Sequence, residues 1–323
     1  MIEGAGVGDV RVSVVMSVYN ADRYLEQAVK SILDQTLEAF EFIVIDDGST
    51  DGSRSILRSF SDERLVIIEQ SNQGLPKALN RGITRARSPL IARMDADDIA
   101  LPSRLQEQVD FLDRNPEHVG VGSNAFVIDE YGRYVYTTNE PLADESLRSR
   151  LPETPFIHPS SMFRKEAFEA AGGYCEQMFT AQDTVLFNRM MRWGKVANLA
   201  KPLIKYRIVP TAITKRGKVS RTYSRIMRRA ILENRISSED AAYLLSNWKQ
   251  RRPQERAVAY HTFLAKKLLW NSHRAREARE HLIASLTTKP TLEAALLYGG
   301  SFLPEPWVKQ GYRQLKRWSG ARN

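Results

Sequence analysis

Two hydrophobic periods alternate along the first hundred residues. RVSVVMSV (11–18), FEFIVI (40–45), RLVIIE (64–69) and SPLIARM (88–94) are short, β-branched and nearly continuous in apolarity, as strands buried on both faces are. The segments between them, DRYLEQAVKSILDQ, DGSRSILRSF and LPKALNRGITRAR, place apolar residues three and four apart, which predicts core-facing helices. Strand and helix in this order build right-handed βαβ units, hence an α/β domain with a mainly parallel sheet. Ligands of such sheets bind beyond the carboxyl ends of the strands.

Farther on the pattern loosens. LPSRLQEQVDFLDRNPE reads as a helix with Pro102 near its start and Pro116 past its end, VGVGSNAFVID as a strand, and DEYGRY as a hairpin turn. RKEAFEAAGGY predicts a helix closed by Gly172 and Gly173, and QDTVLFNRMMRWG one closed by Gly194. From residue 215 no strand pattern stands out, and amphipathic helices are expected near 218–232, 238–250, 254–269, 272–286 and 304–318.

Charge sharpens this division. The 323 residues carry a net +9, but residues 1–214 hold 24 Lys and Arg against 30 Asp and Glu, whereas residues 215–323 hold 23 against 8. Such a shift predicts a boundary between a domain at 1–214 that holds the chemistry and a basic helical region at 215–323 that meets something anionic. The single cysteine, Cys175, excludes an intrachain disulfide and suits a reducing compartment; its expected role is that of a small buried apolar residue. MIEGAGVGDV lacks the cationic and then apolar order of a signal peptide, and its glycines precede the first strand, so they fit no dinucleotide fingerprint and read as a flexible tail. No apolar run approaches the roughly 18 residues of a membrane span. The expectation is a cytoplasmic protein, soluble or attached to the membrane surface only.

Three of the predicted strands end in polar groups: Ser17, Tyr19 and Asn20; Asp46 and Asp47; Asp95, Asp97 and Asp98. Any one group could be turn or helix-cap chemistry, with Thr50 or Asp51 capping the helix after DDGSTDGS. All three should converge on one rim of the sheet, which turn chemistry alone does not require. The carboxylates of IARMDADDIALP suit a hard divalent cation. The stretch lacks the glycine and glutamate of an EF-hand, and the chain has no P-loop. Two or three carboxylates fit Mn²⁺ or Mg²⁺, whose remaining ligands would be water and a diphosphate.

Taken in order, VSVVMSVYN, FEFIVIDDGSTDGS, NQGLPKALNRGI, IARMDADDIALPSRL and QDTVLFNRM closely resemble the family 2 glycosyltransferases, which have the GT-A fold. The resemblance spans residues 11 to 207. It implies a Rossmann-like mixed sheet between helices, a nucleotide-diphosphate sugar donor, a UDP-sugar for preference, a divalent metal, and inversion at the anomeric carbon. By position it implies that Ser17 and Tyr19 contact the base, Tyr19 by stacking, and that Asp47 hydrogen-bonds it. Asp95 and Asp97 match the D-x-D pattern, Asp97 as metal ligand and Asp95 toward the ribose or the metal's water shell, with Asp98 supporting from the helix side. Asp183 matches the catalytic base, and Gln182 stands where relatives carry Glu, keeping a hydrogen bond but losing a charge on the acceptor side. His158 and Ser160 fall in the acceptor-side segment. Val209 stands where many relatives have histidine, leaving Arg207 to neutralise phosphate. Without the other motifs, Asp183 would be an ordinary helix N-terminal carboxylate and His158 a structural histidine.

The resulting expectation is a metal-dependent inverting glycosyltransferase acting on a saccharide or lipid-linked acceptor in cell-surface polysaccharide or glycolipid biosynthesis. A pyrophosphorylase-like nucleotidyltransferase would want a glycine-rich loop with a basic residue where SVYNADRY stands. A sugar-nucleotide-binding module with a decayed site is supported by Gln182 and Val209 and opposed by the D-x-D and Asp183. For the basic region the readings are a helical cap on the catalytic domain, or attachment to an anionic membrane surface through Trp307, Tyr312 and Trp318 interleaved with Lys309, Arg313, Lys316 and Arg317. The cap is the first of these readings; lipid-linked acceptors, common in the resembled family, strengthen the second without displacing it. Nucleic acid is disfavoured, because no binding motif accompanies the charge.

Overall fold

The computed structural model describes residues 10–210, 220–249 and 252–311. The glycine-rich stretch at 4–9, the first residues of the helix expected at 218–232, the last of that at 238–250, and the 312–318 part of the last expected helix lie outside the described residues. The first four strands and three helices match the sequence pattern: β1 (Val12–Val18), α1 (Asp22–Leu33), β2 (Phe40–Asp46), α2 (Ser53–Ser59), β3 (Leu65–Glu69), α3 (Leu75–Arg85) and β4 (Leu90–Met94). β1 pairs in parallel with β2 and β4, and β2 with β3. Every position of β2 and β4 is buried, which is why these runs are continuously apolar instead of alternating.

Next come β5 (Ile99–Ala100), α4 (Arg104–Arg114), β6 (His118–Ile128), β7 (Tyr134–Thr137), α5 (Asp144–Arg148), a 3₁₀ turn (His158–Ser160), β8 (Met162–Arg164), α6 (Lys165–Ala170), α7 (Gln182–Met190) and β9 (Lys195–Arg207). α8 (Arg221–Glu233), α9 (Ser238–Lys249), α10 (Pro253–Asn271), α11 (Ala275–Thr288) and α12 (Leu292–Gly300) complete the chain. The sheet order is β3-β2-β1-β4-β8-β6-β9-β5, with β7 beside β6. β8 runs antiparallel to β4 and β6, so the sheet is mixed beyond its parallel half. β9 has no clean hydrophobic period, because Pro202 and three lysines interrupt it; its place between β6 and β5 (Ile99 opposite Lys205, Ala100 opposite Ile204) fixes it. α12 was also not expected, being apolar on nearly all sides and ending in two glycines.

The chain divides into two compact units. The first takes Met1–Ala125, Thr138–Tyr206 and Val219–Leu245; the second takes Phe126–Thr137, Arg207–Lys218 and Ser246–Asn323. In the first unit the two-residue period of the strands sorts the core into two layers. Val12, Val14, Met16 and Val18 of β1 pack with Leu25, Val29 and Ile32 of α1 and Leu105 and Leu112 of α4. Val15, Ile43 and Ile45 face the other way, in one cluster with Leu79 and Ile83 of α3, Phe168 of α6 and Phe187 of α7. Gly82 lets α3 lie against β1, since a Cβ there would stand 2.6 Å from Val15 Cγ1. α8 adds Ile226, Met227 and Ala230 to a cluster with Cys175, Met178 and Val185. Cys175 is buried as expected, and burial pushes its thiol pKa up.

In the second unit the hairpin of Phe126–Ile128 and β7 is held by α10. The Glu130 amide donates to the Tyr260 hydroxyl at 3.1 Å, and the Lys267 ammonium lies 4.5 Å from the Tyr136 ring centre. α10 packs on α11 through Thr262 and Ser285 (3.0 Å) and through His261 and His281, whose Nδ1 atoms are 3.1 Å apart. Burial, then the His261 and Arg133 charges, lowers His281 to about 4 from its ordinary 6.5. A histidine depressed on folding contributes stability that is present above its unfolded pKa and is lost as pH falls toward the folded one. The unfolding free energy is therefore expected to drop between pH 6.5 and pH 4, by up to about 3 kcal/mol from this group at 1.36 kcal/mol per pH unit. Urea midpoints measured across that window, for the parent and for His281→Gln, check this: the variant should lose much of the slope.

Candidate active site

β4 delivers its acidic residues into the short gap before β5. Carboxylate oxygens of Asp95, Asp97 and Asp98 lie within 4.8 Å of one another, with Asp95 and Asp97 partly open and Asp98 buried. Three like charges this close need compensation, and two buried arginines supply part of it. Arg93, on β4 itself and 1% exposed, is ion-paired with Asp95, while its Nε and Nη2 have no hydrogen-bond partner. Arg104, at the start of α4 and fully buried, donates through Nη2 to the carbonyls of Arg93 (2.7 Å) and Ser161 (3.3 Å) and through Nε to Gln108 (3.1 Å). Burial lowers Arg104 to about 9, with Asp98 opposing and Arg93 reinforcing the fall. For Arg93 burial also opposes the charge, but Asp95, Tyr174 and Asp98 outweigh it and hold the pKa above its ordinary value. Both arginines are thus cationic at neutral pH. Two cations against three carboxylates leave a net negative, oxygen-only donor set, which fits a hard divalent cation.

The β5 and β9 pairing carries Tyr206 to this cluster. Its phenol is pushed above the ordinary range by burial and then by Asp98, Asp95, Asp97 and Asp183. Tyr174 is likewise raised by burial, against Arg93 and together with Asp183 and Asp95. Both tyrosines therefore sense Asp95 and Asp183, more than eighty residues later, and Tyr206 senses Asp97 and Asp98 too, so these groups share one neighbourhood. Asp183 is the second residue of α7 and is partly exposed. The preceding Ala181 has φ 56°, a left-handed conformation that non-glycine residues adopt at a cost of about 1–2 kcal/mol, so the turn into α7 is held under strain. Gln182 is buried, and its Oε1 has no hydrogen-bond partner.

His158 Nε2 lies 2.7 Å from the Tyr174 hydroxyl, which places it next to this group. Burial and then the Arg93 charge push its pKa well below 6.5, so the imidazole is neutral and suited to hydrogen bonding. Ser160 is fully buried, with its hydroxyl on the Ile157 carbonyl at 2.8 Å, and forms wall instead of lining. Asn80 clamps Tyr174 through that residue's amide and carbonyl, both at 2.9 Å.

At the other strand ends, Ser17 is partly buried and the Tyr19 ring is 52% exposed, open for stacking. Asp47 is buried, and its oxygens accept from Gln70 Nε2 (2.7 Å) and from the amides of Gln73 and Gly74 (both 2.8 Å). It shapes the loop into α3, and contact with a base would use its remaining lone pairs. Asp46 is wholly buried and accepts from the Ser49 amide and from Arg54. Arg207 belongs to the second unit, where it is buried and donates to the Asp129 carbonyl at 3.3 Å. A depression of about 410 Å³ lined by Ala170, Ala171, Arg189, Arg192 and Trp193 shares no residue with the site. Sequence reasoning missed Arg93, Arg104, Tyr174 and Tyr206. The one available signal was an arginine inside the apolar run LIARM.

Residues 13–172 match the family model described as glycosyl transferase family 2. The amylovoran biosynthesis glycosyltransferase AmsE of Erwinia amylovora is 34% identical over 212 residues, which cover 63% of this chain and 79% of that protein. The chain belongs to glycosyl transferase family 2. A second relative of this glycosyltransferase, the O-antigen biosynthesis glycosyltransferase WbnJ of Escherichia coli, is 32% identical over 61% of this chain and 79% of its own. The S. aureus TarS 1-349 structure in complex with UDP-GlcNAc superposes with a TM-score of 0.56 at 15% identity, covering 94% of this chain and 92% of that one. The fold is thus the GT-A fold expected from the sequence, in its mixed, mainly parallel form.

Proposed function

We propose that this glycosyltransferase moves a hexosyl group from a UDP-sugar to a hydroxyl of a saccharide or lipid-linked acceptor, with inversion, in building a cell-surface polysaccharide or glycolipid. The observation that supports the reading is that Asp183 and Asp95 both act on the buried Tyr174 and Tyr206, with Asp97 and Asp98 acting on Tyr206 as well. The named pathways of AmsE and WbnJ and the nucleotide sugar bound by TarS support the acceptor and donor classes.

In this reading residues 1–214 carry the chemistry. Tyr19 stacks on the base, with Ser17 and Asp47 at its edge, and Asp95, steadied by Arg93, meets the ribose. Asp97 would hold Mn²⁺ or Mg²⁺, which when bound supplies positive charge to the leaving diphosphate. Asp183 takes the proton of the acceptor hydroxyl as that oxygen forms its bond to the anomeric carbon; the bond to the diphosphate breaks on the opposite face and its electron pair departs with the phosphate. Neutral His158 and Gln182 border the acceptor side as hydrogen-bonding groups. Among the described residues no helix is long and apolar enough to cross a membrane. We place the enzyme in the cytoplasm, with its basic region available to a membrane surface.

A panel of nucleotide sugars tested by thermal shift, with and without Mn²⁺, checks the donor. A UDP-sugar should raise the melting temperature further with Mn²⁺ than without, and should release UDP on incubation. Asp97→Asn should abolish the Mn²⁺ increment while leaving the metal-free shift. Absence of any metal-assisted shift across the panel would refute the donor and metal assignment together.

A further inference from the structure

Among its described residues the second unit carries a run of exposed apolar side chains on and after α12. Along α12 the exposed residues are Leu292, Ala295, Leu296 and Gly299, apart from Glu293, and these positions, i, i+3, i+4 and i+7, define one helical face. Leu292 is 77% exposed and Leu296 67%, whereas Ala294 on the opposite side is fully buried. The chain then turns tightly on the helix end, with the Ser301 amide on the Leu297 carbonyl and the Phe302 amide on that of Gly299. Past this turn Phe302 is 63% exposed and Trp307 66%, with Leu303 open between them. Isolated exposed leucines are ordinary, but this many large apolar groups within sixteen residues are not.

The charge around this face is mixed locally and positive in sum: Glu293 and Glu305 lie among the apolar residues and are ion-paired with Lys266 and Lys309. The Arg279 guanidinium lies 4.7 Å from the Phe302 ring centre, and Lys289, exposed just ahead of α12, is ion-paired with Glu255 at 4.0 Å. From residue 246 to the end the chain has 15 Lys and Arg against 5 Asp and Glu, and after Gly311 it has four cations and no acid. A second copy of the chain would bring the same positive charge against this face, which disfavours self-association as its cover. Leucines and aromatic rings flanked by lysine and arginine suit the boundary between headgroups and acyl chains, where the rings enter and the cations meet lipid phosphates.

We infer that the exposed apolar side chains of α12 and the segment after it, Leu292, Leu296, Phe302, Leu303 and Trp307, dock on an anionic lipid leaflet. This assigns the expected membrane contact to the helix the sequence pattern did not predict, and it is independent of the proposed chemistry, since binding is measured without donor or metal.

The test is flotation of the full chain with vesicles of phosphatidylcholine alone or mixed equally with phosphatidylglycerol, at low and high salt. The parent should partition about tenfold or more in favour of the anionic vesicles at low salt and lose that preference at high salt. The Leu296→Ser/Trp307→Ser double variant should bind anionic vesicles about tenfold more weakly, with an unchanged circular dichroism melt, because both residues are exposed. Three results would each overturn the inference: no binding to the anionic vesicles at low salt, parental binding by the double variant, or a concentration-dependent dimer in light scattering that the double variant abolishes, which would make a second copy the occupant.

Discussion

Asp183→Asn is expected to slow UDP release from the productive donor by about 10²–10⁴-fold, the span that positioned general bases supply, while the donor-induced thermal shift stays at the parent value. Asparagine keeps the size and hydrogen-bonding reach of the side chain and removes only its capacity to accept a proton. A loss confined to turnover therefore separates proton transfer from binding. Retention of the parent rate would remove Asp183 from the chemistry and leave it a helix N-terminal carboxylate. Asp183→Glu adds a second reading. It restores the basic group but displaces it by a methylene, on a helix whose first turn is fixed by the left-handed Ala181, and it should recover only part of the rate.

The second large effect concerns stability. Arg93→Met should cost about 3–5 kcal/mol, the usual consequence of removing one partner of a buried ion pair. Methionine fills most of the same volume, so the loss is chiefly electrostatic: Asp95 and Asp98 would face one another with only Arg104 behind them. Asp95 is 30% exposed, so water recovers part of its solvation and the lower end of that range is expected. Urea unfolding at neutral pH measures this, and a change below about 1 kcal/mol would show that the pair stabilises little. Arg93→Met combined with Asp95→Asn should be less destabilised than the sum of the single variants, because the second change relieves the charge the first leaves uncompensated.

Physical reasons separate what was legible in the sequence from what was not. β1 to β4 and α1 to α3 were readable because each is a local period with turn residues at both ends. The acidic residues after β4 and Asp183 stood out as candidates for chemistry, because carboxylates following an apolar run or opening a helix have few structural excuses in combination. β9 was not readable, since its pairing with β6 and β5 and not its own alternation makes it a strand. That pairing brings Tyr206 beside the acidic loop, so this neighbour was hidden for the same reason. Tyr174 was hidden because Asn80, ninety-four positions earlier, sets its place. Arg104 looks like a surface cation in a linear text, and Arg93 is marked only by its place inside the apolar run LIARM. Their burial becomes intelligible only when three carboxylates are gathered above them. α12 failed the helical test because a helix apolar all round has no polar side to set the period.

The two units are threaded through each other along the backbone, which constrains anyone who would shorten this protein. A gene stopped after residue 214 would excise α8, whose Ile226 and Ala230 share a cluster with Val185 of α7, and so would strip the support from the helix that bears Asp183. It would also strand the 126–137 hairpin, deprived of the Tyr260 hydroxyl beneath the Glu130 amide. A minimal version would have to keep the chain through Leu245 and splice out the hairpin, two edits where the charge profile along the sequence suggests one.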